Sequence, residues 1–94
     1  MWILTPDALE DLEWIVAEGT RQFGAKQAAR YELSLVEAFE TLDAHPMMAP
    51  AHEVDGLHLR LFPCGRHHIL YIVDIDDVVI LRVLHARQNW QDLI

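Results

Sequence analysis

The residues best suited to chemistry gather where the last predicted strand ends, because Arg82, His85 and Arg87 follow one another closely there. Arginine binds carboxylates and phosphates through a planar guanidinium group, and histidine exchanges a proton near neutral pH. Two interpretations stand for Arg82, a contact with a partner or an ion pair with an acid elsewhere in the fold. His85 is interpreted either as a hydrogen-bonded cap on the strand or as a catalytic group.

Other reactive residues predict no further site. His67 and His68 are adjacent, so in a strand they point to opposite faces and do not form a metal site by themselves. Cys64 is the only cysteine and has no catalytic partner in the sequence, which suits a reducing cytoplasm. We therefore expect no metal and no cofactor, and we expect a cytoplasmic protein.

The charge is uneven along the chain. Residues 1–55 hold eleven Asp/Glu and three Lys/Arg, whereas residues 56–94 hold four of each. Nucleic-acid binding requires Lys/Arg to displace phosphate counterions, so this acidic front half argues against direct nucleic-acid contact. The start has no basic segment followed by an apolar run, and no window approaches the ~18 apolar residues of a membrane span. We expect neither a signal peptide nor a membrane segment.

The elements that must position these residues are predicted as β-α-α-β-β-β. Residues 2–4 form a short strand, Thr5 caps the first helix, and Gly24 ends it. The second helix ends before His45-Pro46, since the residue before proline avoids helical geometry. This pattern gives an antiparallel helical hairpin over about residues 6–44. Its apolar stripe in the first helix includes Leu9, Leu12, Val16 and Phe23, and its stripe in the second helix includes Ala28, Tyr31, Leu35, Ala38, Phe39 and Leu42.

The rest of the chain is predicted as a loop over 45–56, an antiparallel β-meander over about 57–85 and a tail over 86–94. The fold class is therefore α+β in one domain, residues 1–94, with the hairpin packed on a small antiparallel sheet. Strict alternation in the last strand predicts Arg82 on the same side as Ile80 and Leu84.

The last two strands are apolar on both faces, and the hairpin can cover only one of them. Burial of apolar area is worth about 25 cal/mol per Å², so a bare second face would be costly and prone to aggregation. Either the tail covers it through Trp90, Leu93 and Ile94, or a partner does. We favour a partner.

These segments resemble the RelE/ParE toxin superfamily of bacterial type II toxin–antitoxin pairs, and the ParE branch in particular. The resemblance covers nearly the whole chain and includes LTPDALEDLEWI and FGAKQAARYELSLVEAFETLDAHP. Its most specific block is GLHLRLFPCGRHHILYIVDIDDVVILRVLHAR, with a Phe-Pro-x-Gly-Arg turn and a strand ending Arg-Val-Leu-His-x-Arg. The resemblance implies a hetero-oligomer with a cognate ParD-like antitoxin, whose C-terminal segment covers the hairpin and sheet.

The resemblance leaves three activities open. ParE-like members inhibit DNA gyrase, and this is the favoured function. RelE-like members are ribosome-dependent mRNA endoribonucleases, and Glu53, Arg66 and His85 fall where some of them carry a Glu–Arg–His set. The third alternative is a non-toxic module that only binds an antitoxin. The chain lacks a tyrosine after Arg87, and Trp90 can stack on a base but cannot transfer a proton.

Candidate contact residues follow from exposure and from the resemblance. Trp14 lies off the apolar stripe of its helix, and exposed tryptophan often marks an interface. We expect the antitoxin to contact Trp14, Leu33, Val36, Arg60 and Arg82. We expect the surface that acts on the target to include Arg66, His85, Arg87 and Trp90.

Overall fold

A computed structural model describes the backbone of residues 1–93 and the side chains of residues 1–92. The elements follow the predicted order, with one additional strand after the hairpin. They are β1 Trp2–Leu4, α1 Pro6–Phe23, α2 Ala25–Ala44, β2 Ala51–Val54, β3 Leu57–Cys64, β4 His67–Asp74, β5 Asp77–His85 and a 3-10 turn Trp90–Leu93. Within residues 1–93, neither helix combines the length and the apolar character needed to cross a membrane.

The five strands form one mixed sheet in the order β1-β5-β4-β3-β2. β1 lies parallel to β5, with Ile3 opposite Val79, whereas the other neighbours are antiparallel. The predicted antiparallel meander is therefore present, and β1 joins it in parallel, which the description of a small antiparallel sheet did not include. After the helical hairpin the chain enters the sheet at the edge formed by β2. β1 lies at the other edge, where it pairs with β5, the last strand of the meander.

The predicted loop over 45–56 is also wrong in its second half, where β2 pairs with β3. Asp55 and Gly56 connect the two strands, and both have positive φ, +50° and +82°. An Asp-Gly pair with positive φ at both positions is characteristic of the two-residue turn of a tight β-hairpin. This dipeptide is the sequence signal that predicts β2.

Both helix boundaries have a local physical cause. Thr5 Oγ1 accepts a hydrogen bond from the Ala8 N–H at 3.1 Å, which satisfies a free amide of the first turn of α1. The same hydroxyl donates to the Leu81 carbonyl at 2.8 Å, so the cap also fixes the helix against β5. Gly24, at φ +89°, separates the two helices.

The core lies between the helical hairpin and one face of the sheet. Its fully buried side chains include Leu35, Phe39, Leu42, Ile69, Tyr71, Val78 and Ile80. The predicted α2 stripe is confirmed, since all of its members belong to the core or pack against it or α1. The predicted α1 stripe is wrong at two positions, because Leu9 is 47% and Phe23 is 49% exposed.

An irregularity in β5 changes which side chains enter the core. Leu70 pairs with Arg82 while Tyr71 pairs with Ile80, so Leu81 is an extra residue without a partner on β4. Such a β-bulge shifts the alternation of the strand. Val83 therefore joins Val78 and Ile80 in the core. Arg82 stays on the side of Leu84, and its predicted grouping with Ile80 is wrong.

The second face of the sheet is partly covered within the chain. Leu59, Leu70 and Leu84 are at most 2% exposed although they lie outside the main core. The Trp90 ring lies 5.3 Å from the His52 ring on β2, so the tail returns to the sheet. The side chain of Leu93 and all of Ile94, the other members of the predicted tail cover, lie outside the described residues.

Candidate partner-binding groove

Arg82 and Asp11 join α1 to the edge of the sheet. Arg82 donates to both oxygens of the Asp11 carboxylate, from Nε at 2.7 Å and from Nη2 at 2.8 Å. The Val83 N–H donates to the same carboxylate at 2.9 Å, which satisfies an edge amide beyond the end of β1. The pKa of Arg82 is raised, chiefly by its hydrogen bond to Asp11. Arg82 therefore has the structural role that the sequence left open.

Tyr31 of α2 holds the turn between β3 and β4. Its hydroxyl accepts from the Arg66 N–H at 3.0 Å and lies 2.5 Å from His67 Nδ1. A Cβ atom built on Gly65 would lie 2.9 Å from the Tyr31 ring, which is closer than real contacts allow. Gly65 also has φ +58°, so this position requires glycine for two reasons. The Gly-Arg motif is thus explained by the contact with Tyr31.

Hydrogen bonds define the state of the two histidines beside this turn. The Arg87 N–H donates to His85 Nδ1 at 3.1 Å, so that nitrogen carries no proton. The Tyr31 hydroxyl lies 3.4 Å from the Cys64 carbonyl oxygen, which is long for an O–H···O hydrogen bond, and 2.5 Å from His67 Nδ1. We therefore assign the hydroxyl proton of Tyr31 to the hydrogen bond with His67 Nδ1. The two rings are 5.5 Å apart. With Nδ1 as the acceptor, the remaining donor of each ring is its Nε2–H group.

A groove of about 540 Å³ lies between the tip of the helical hairpin and this end of the sheet. Its apolar side chains include Trp14, Ile15 and Phe23 of α1, together with Ala28 of α2. Its polar end is formed by three residues that we call the groove floor, namely Arg66, His67 and His85. The Arg66 guanidinium also lies over the Phe23 ring, 5.8 Å from its centre. The groove thus combines an exposed aromatic wall with a floor of hydrogen-bond donors.

Burial and neighbouring charge shift several pKa values around the groove. The pKa of His67 is lowered, first by burial and then by His85 and Arg66. Burial raises the pKa values of Tyr31 and Cys64, so both groups are uncharged at neutral pH. The pKa of Glu18 is lowered to about 2 by hydrogen bonds from Arg21 and Gln22.

The structure separates the residues predicted to contact a partner. Trp14, 66% exposed, lines the groove, whereas Leu33 and Val36 are not among its lining residues. Arg60 donates to the Ala49 carbonyl at 2.6 Å and so supports the loop before β2. Of the five residues predicted to contact the antitoxin, Trp14 alone is found among the described lining of the groove.

The residues predicted to act on the target are also divided. Arg66 and His85 lie together in the groove floor, and Arg87 is exposed next to them. Trp90 instead contacts His52 on β2. Sequence reasoning did not single out Tyr31 or Phe23 as functional, since Tyr31 was assigned to a packing stripe and Phe23 to the core.

Glu53 is not close to Arg66 and His85. It lies on β2 opposite His58, near the start of β3, while Arg66 follows the end of β3. Six residue steps separate His58 from Cys64, which is about 20 Å along a strand. The Glu–Arg–His set is therefore not assembled. Among the described residues, no three His, Cys, Asp or Glu side chains are grouped as a metal site would require.

Comparison with known proteins identifies the family. A family model described as the ParE toxin of the type II toxin-antitoxin system, parDE, matches residues 2–90. The chain belongs to the ParE toxin family. No curated protein matches the sequence.

The ParE fold is also found in a solved structure described as the chromosomal ParDE TA system from P. aeruginosa. It superposes with a TM-score of 0.76 at 22% sequence identity, over 89% of this chain and 92% of that chain. At this identity the likeness establishes the fold. The predicted α+β architecture and the predicted membership of the ParE branch are both confirmed.

Proposed function

We propose that this ParE-family chain is a toxin that inhibits DNA gyrase and is neutralised by a cognate ParD-like antitoxin. Family membership supports a toxin that works with an antitoxin. The solved structure with the same fold belongs to a ParDE system, which supports an antitoxin of the ParD type. The net charge of −8 supports a protein target rather than a nucleic acid.

The observation that carries the choice of target is the separation of Glu53 from Arg66 and His85. Cleavage of RNA by acid–base catalysis requires the base and the acid within hydrogen-bond reach of one phosphate. Here the carboxylate lies on the edge strand β2 beside the start of β3, about 20 Å along the strand from the turn that holds Arg66. Inhibition by protein contact requires neither group to act as a catalyst.

A gyrase cleavage assay tests this proposal directly. The purified chain is incubated with gyrase, supercoiled plasmid and ATP, and the products are denatured before electrophoresis. We expect linear DNA to accumulate and to disappear when the antitoxin is added first. Intact plasmid with unchanged supercoiling would contradict gyrase inhibition, and parallel cleavage of ribosome-bound mRNA would support the ribonuclease instead.

The antitoxin segment is proposed to lie in the groove, with Trp14 as its main apolar contact. Aromatic residues in well-packed interface centres carry a large share of binding energy. We expect Trp14→Ala to lower antitoxin affinity about tenfold or more in calorimetric titrations. The matched control is Leu9→Ala, an exposed apolar residue of the same helix that does not line the groove. Equal losses in the two variants would remove Trp14 from the proposed interface.

Leu33 and Val36 form a second proposed contact with the antitoxin, away from the groove. Leu33 is 57% exposed on α2. The guanidinium groups of Arg60 and Arg82 already bond to Ala49 and Asp11 within the fold. We therefore propose that these two residues contact the antitoxin only through their remaining atoms. Arg66, His85, Arg87 and Trp90 remain the proposed contacts with gyrase.

A further inference from the structure

The polar groups of the groove floor are all hydrogen-bond donors. With the Tyr31 proton assigned to His67 Nδ1, and with the Arg87 N–H donating to His85 Nδ1, both histidines have Nδ1 engaged within the fold. What remains at the floor is the Arg66 guanidinium and the Nε2–H groups of His67 and His85. A site of this composition requires an acceptor, and a carboxylate matches it best because an arginine fork binds two carboxylate oxygens at once.

The described part of the chain does not supply that carboxylate. Acidic residues outnumber Lys/Arg by fifteen to seven, yet among residues 1–92 no carboxylate forms an ion pair with Arg66 or with Arg30, which also lines the groove. Glu18 is the one acid that lines the groove, and its oxygens accept hydrogen bonds from Arg21 and Gln22. Among the described Lys/Arg residues, carboxylate partners are found only for Arg21 and Arg82, so the two arginines that line the groove remain available to an acidic ligand.

The floor is also held in position before any partner binds. The Tyr31 hydroxyl fixes the backbone of Arg66, and the Arg66 carbonyl accepts from the Ala86 N–H at 2.8 Å, which joins the turn to the end of β5. A preorganised site loses less entropy on binding, so its donors contribute more to affinity.

We propose that the groove floor is a carboxylate-binding subsite, in which Arg66, His67 and His85 receive an Asp or Glu side chain of the antitoxin segment. The apolar wall at Trp14 and Phe23 receives a neighbouring apolar side chain of the same segment. This inference rests on the proposed function only in naming the antitoxin as the occupant. It goes further in requiring an Asp or Glu beside an apolar residue in the antitoxin segment, and in naming the groove floor as the site that recognises the carboxylate.

Calorimetric titration of the antitoxin into three forms of the toxin tests the subsite, namely wild type, Arg66→Gln and Lys26→Gln. Both variants remove one positive charge near the tip, but Lys26 does not line the groove. We expect Arg66→Gln to lose roughly tenfold or more in affinity, since charge-assisted hydrogen bonds are lost, and Lys26→Gln to stay within about threefold. Circular dichroism confirms that both variants are folded.

A second arm identifies the acidic residue. Each Asp and Glu of the antitoxin is changed to its amide, and one of these changes should give the same loss as Arg66→Gln with no further loss when the two are combined. Strictly additive losses at every position would overturn the carboxylate contact. So would wild-type affinity in Arg66→Gln.

Long-range ¹H–¹⁵N spectra of the imidazole groups provide a readout that does not depend on affinity. We expect both rings in the neutral Nε2–H form in the free toxin, and we expect slower exchange of these protons with water when the antitoxin is bound. A proton on His85 Nδ1 would overturn the proposed floor. If the wild-type toxin does not inhibit gyrase while its antitoxin binding still depends on Arg66, the proposed function is contradicted and the subsite stands.

Discussion

The helical hairpin differs between its root and its tip. The root comprises Ala8, Leu12, Leu35, Phe39 and Leu42, each no more than 8% exposed against the sheet. The tip, formed by the second half of α1 from Trp14 onward and the start of α2, presents Trp14 and Phe23, which are 66% and 49% exposed. The same pair of helices thus has a packed end and an open end.

The arginines at the two ends repeat this difference. At the root, Arg82 is neutralised by Asp11, and the carboxylate also binds a backbone amide. At the tip, Arg66 rests on an aromatic ring, and the described side chains provide it with no carboxylate. Stability is therefore concentrated at the root, and the tip is available for partners. Substitutions should therefore separate folding from binding.

The largest effect is expected for Phe39→Ala at the root compared with Phe23→Ala at the tip. Phe39 is fully buried and packs on the Trp2 ring at 5.2 Å, so its removal leaves a cavity. We expect a loss of about 3–5 kcal/mol in the free energy of unfolding for Phe39→Ala and less than about 1 kcal/mol for Phe23→Ala. Urea denaturation measures both, and similar losses would remove the distinction between the two ends.

Asp11→Asn should have the next largest effect. It leaves the Arg82 guanidinium without its charge partner and weakens the bond to the Val83 N–H. We expect a loss of about 2–3 kcal/mol by the same measurement. The matched control is Glu18→Gln at the tip, which also removes a carboxylate that binds an arginine, but the side chain of that arginine, Arg21, is 70% exposed, and ion pairs with so exposed a partner add little. A stable Asp11→Asn protein would show that the pair does not anchor α1.

Gly65→Ala is expected to cost more than Gly56→Ala, although both glycines have positive φ. Alanine at position 56 meets no atom within 4 Å, so its cost is the backbone strain alone, about 1 kcal/mol. Alanine at position 65 also collides with Tyr31, and we expect a cost of about 2 kcal/mol or more. In a Tyr31→Ala background, Gly65→Ala should cost no more unfolding free energy than Gly56→Ala. A larger cost at position 65 in that background would contradict the proposed contact with Tyr31.

The smallest effect concerns pH and tests the burial of His67 at the tip. The folded state lowers the pKa of His67, so the unfolded chain binds its proton more readily. The contribution of His67 to stability is therefore complete above its ordinary pKa of about 6.5 and is lost as the pH falls below that value. We expect the melting temperature to decrease between pH 7.5 and 5.5, and to decrease less in His67→Gln. An identical decrease in both proteins would exclude His67 as a source of the pH dependence.

The root was the more predictable half of the molecule from sequence. The spacing of Leu35, Phe39 and Leu42 is helical, and burial of such a stripe is governed by local periodicity. Thr5 and Gly24 are equally local signals, and both helix boundaries agree with them. The boundaries and the buried face of a helix depend mainly on its own residues, so the sequence of that helix is enough to predict them.

The parts that sequence did not predict depend on contacts between distant residues. The parallel pairing of β1 and the bulge at Leu81 arise when the sheet is assembled, and no local pattern encodes them. The groove is a further case, since Tyr31 and Gly65 meet only in the folded chain. Glu53 illustrates the opposite error, because a set of residues taken from a resemblance is not brought together by this fold.

Amide hydrogen exchange with and without the antitoxin tests the division between root and tip most directly. We predict new protection in residues 14–31, around the turn at 64–67 and at 85–88, with little change at the root, whose amides exchange slowly in the free toxin. Protection confined to β1, β2 and the second face of the sheet, with the tip unchanged, would contradict the account and move the partner surface away from the groove.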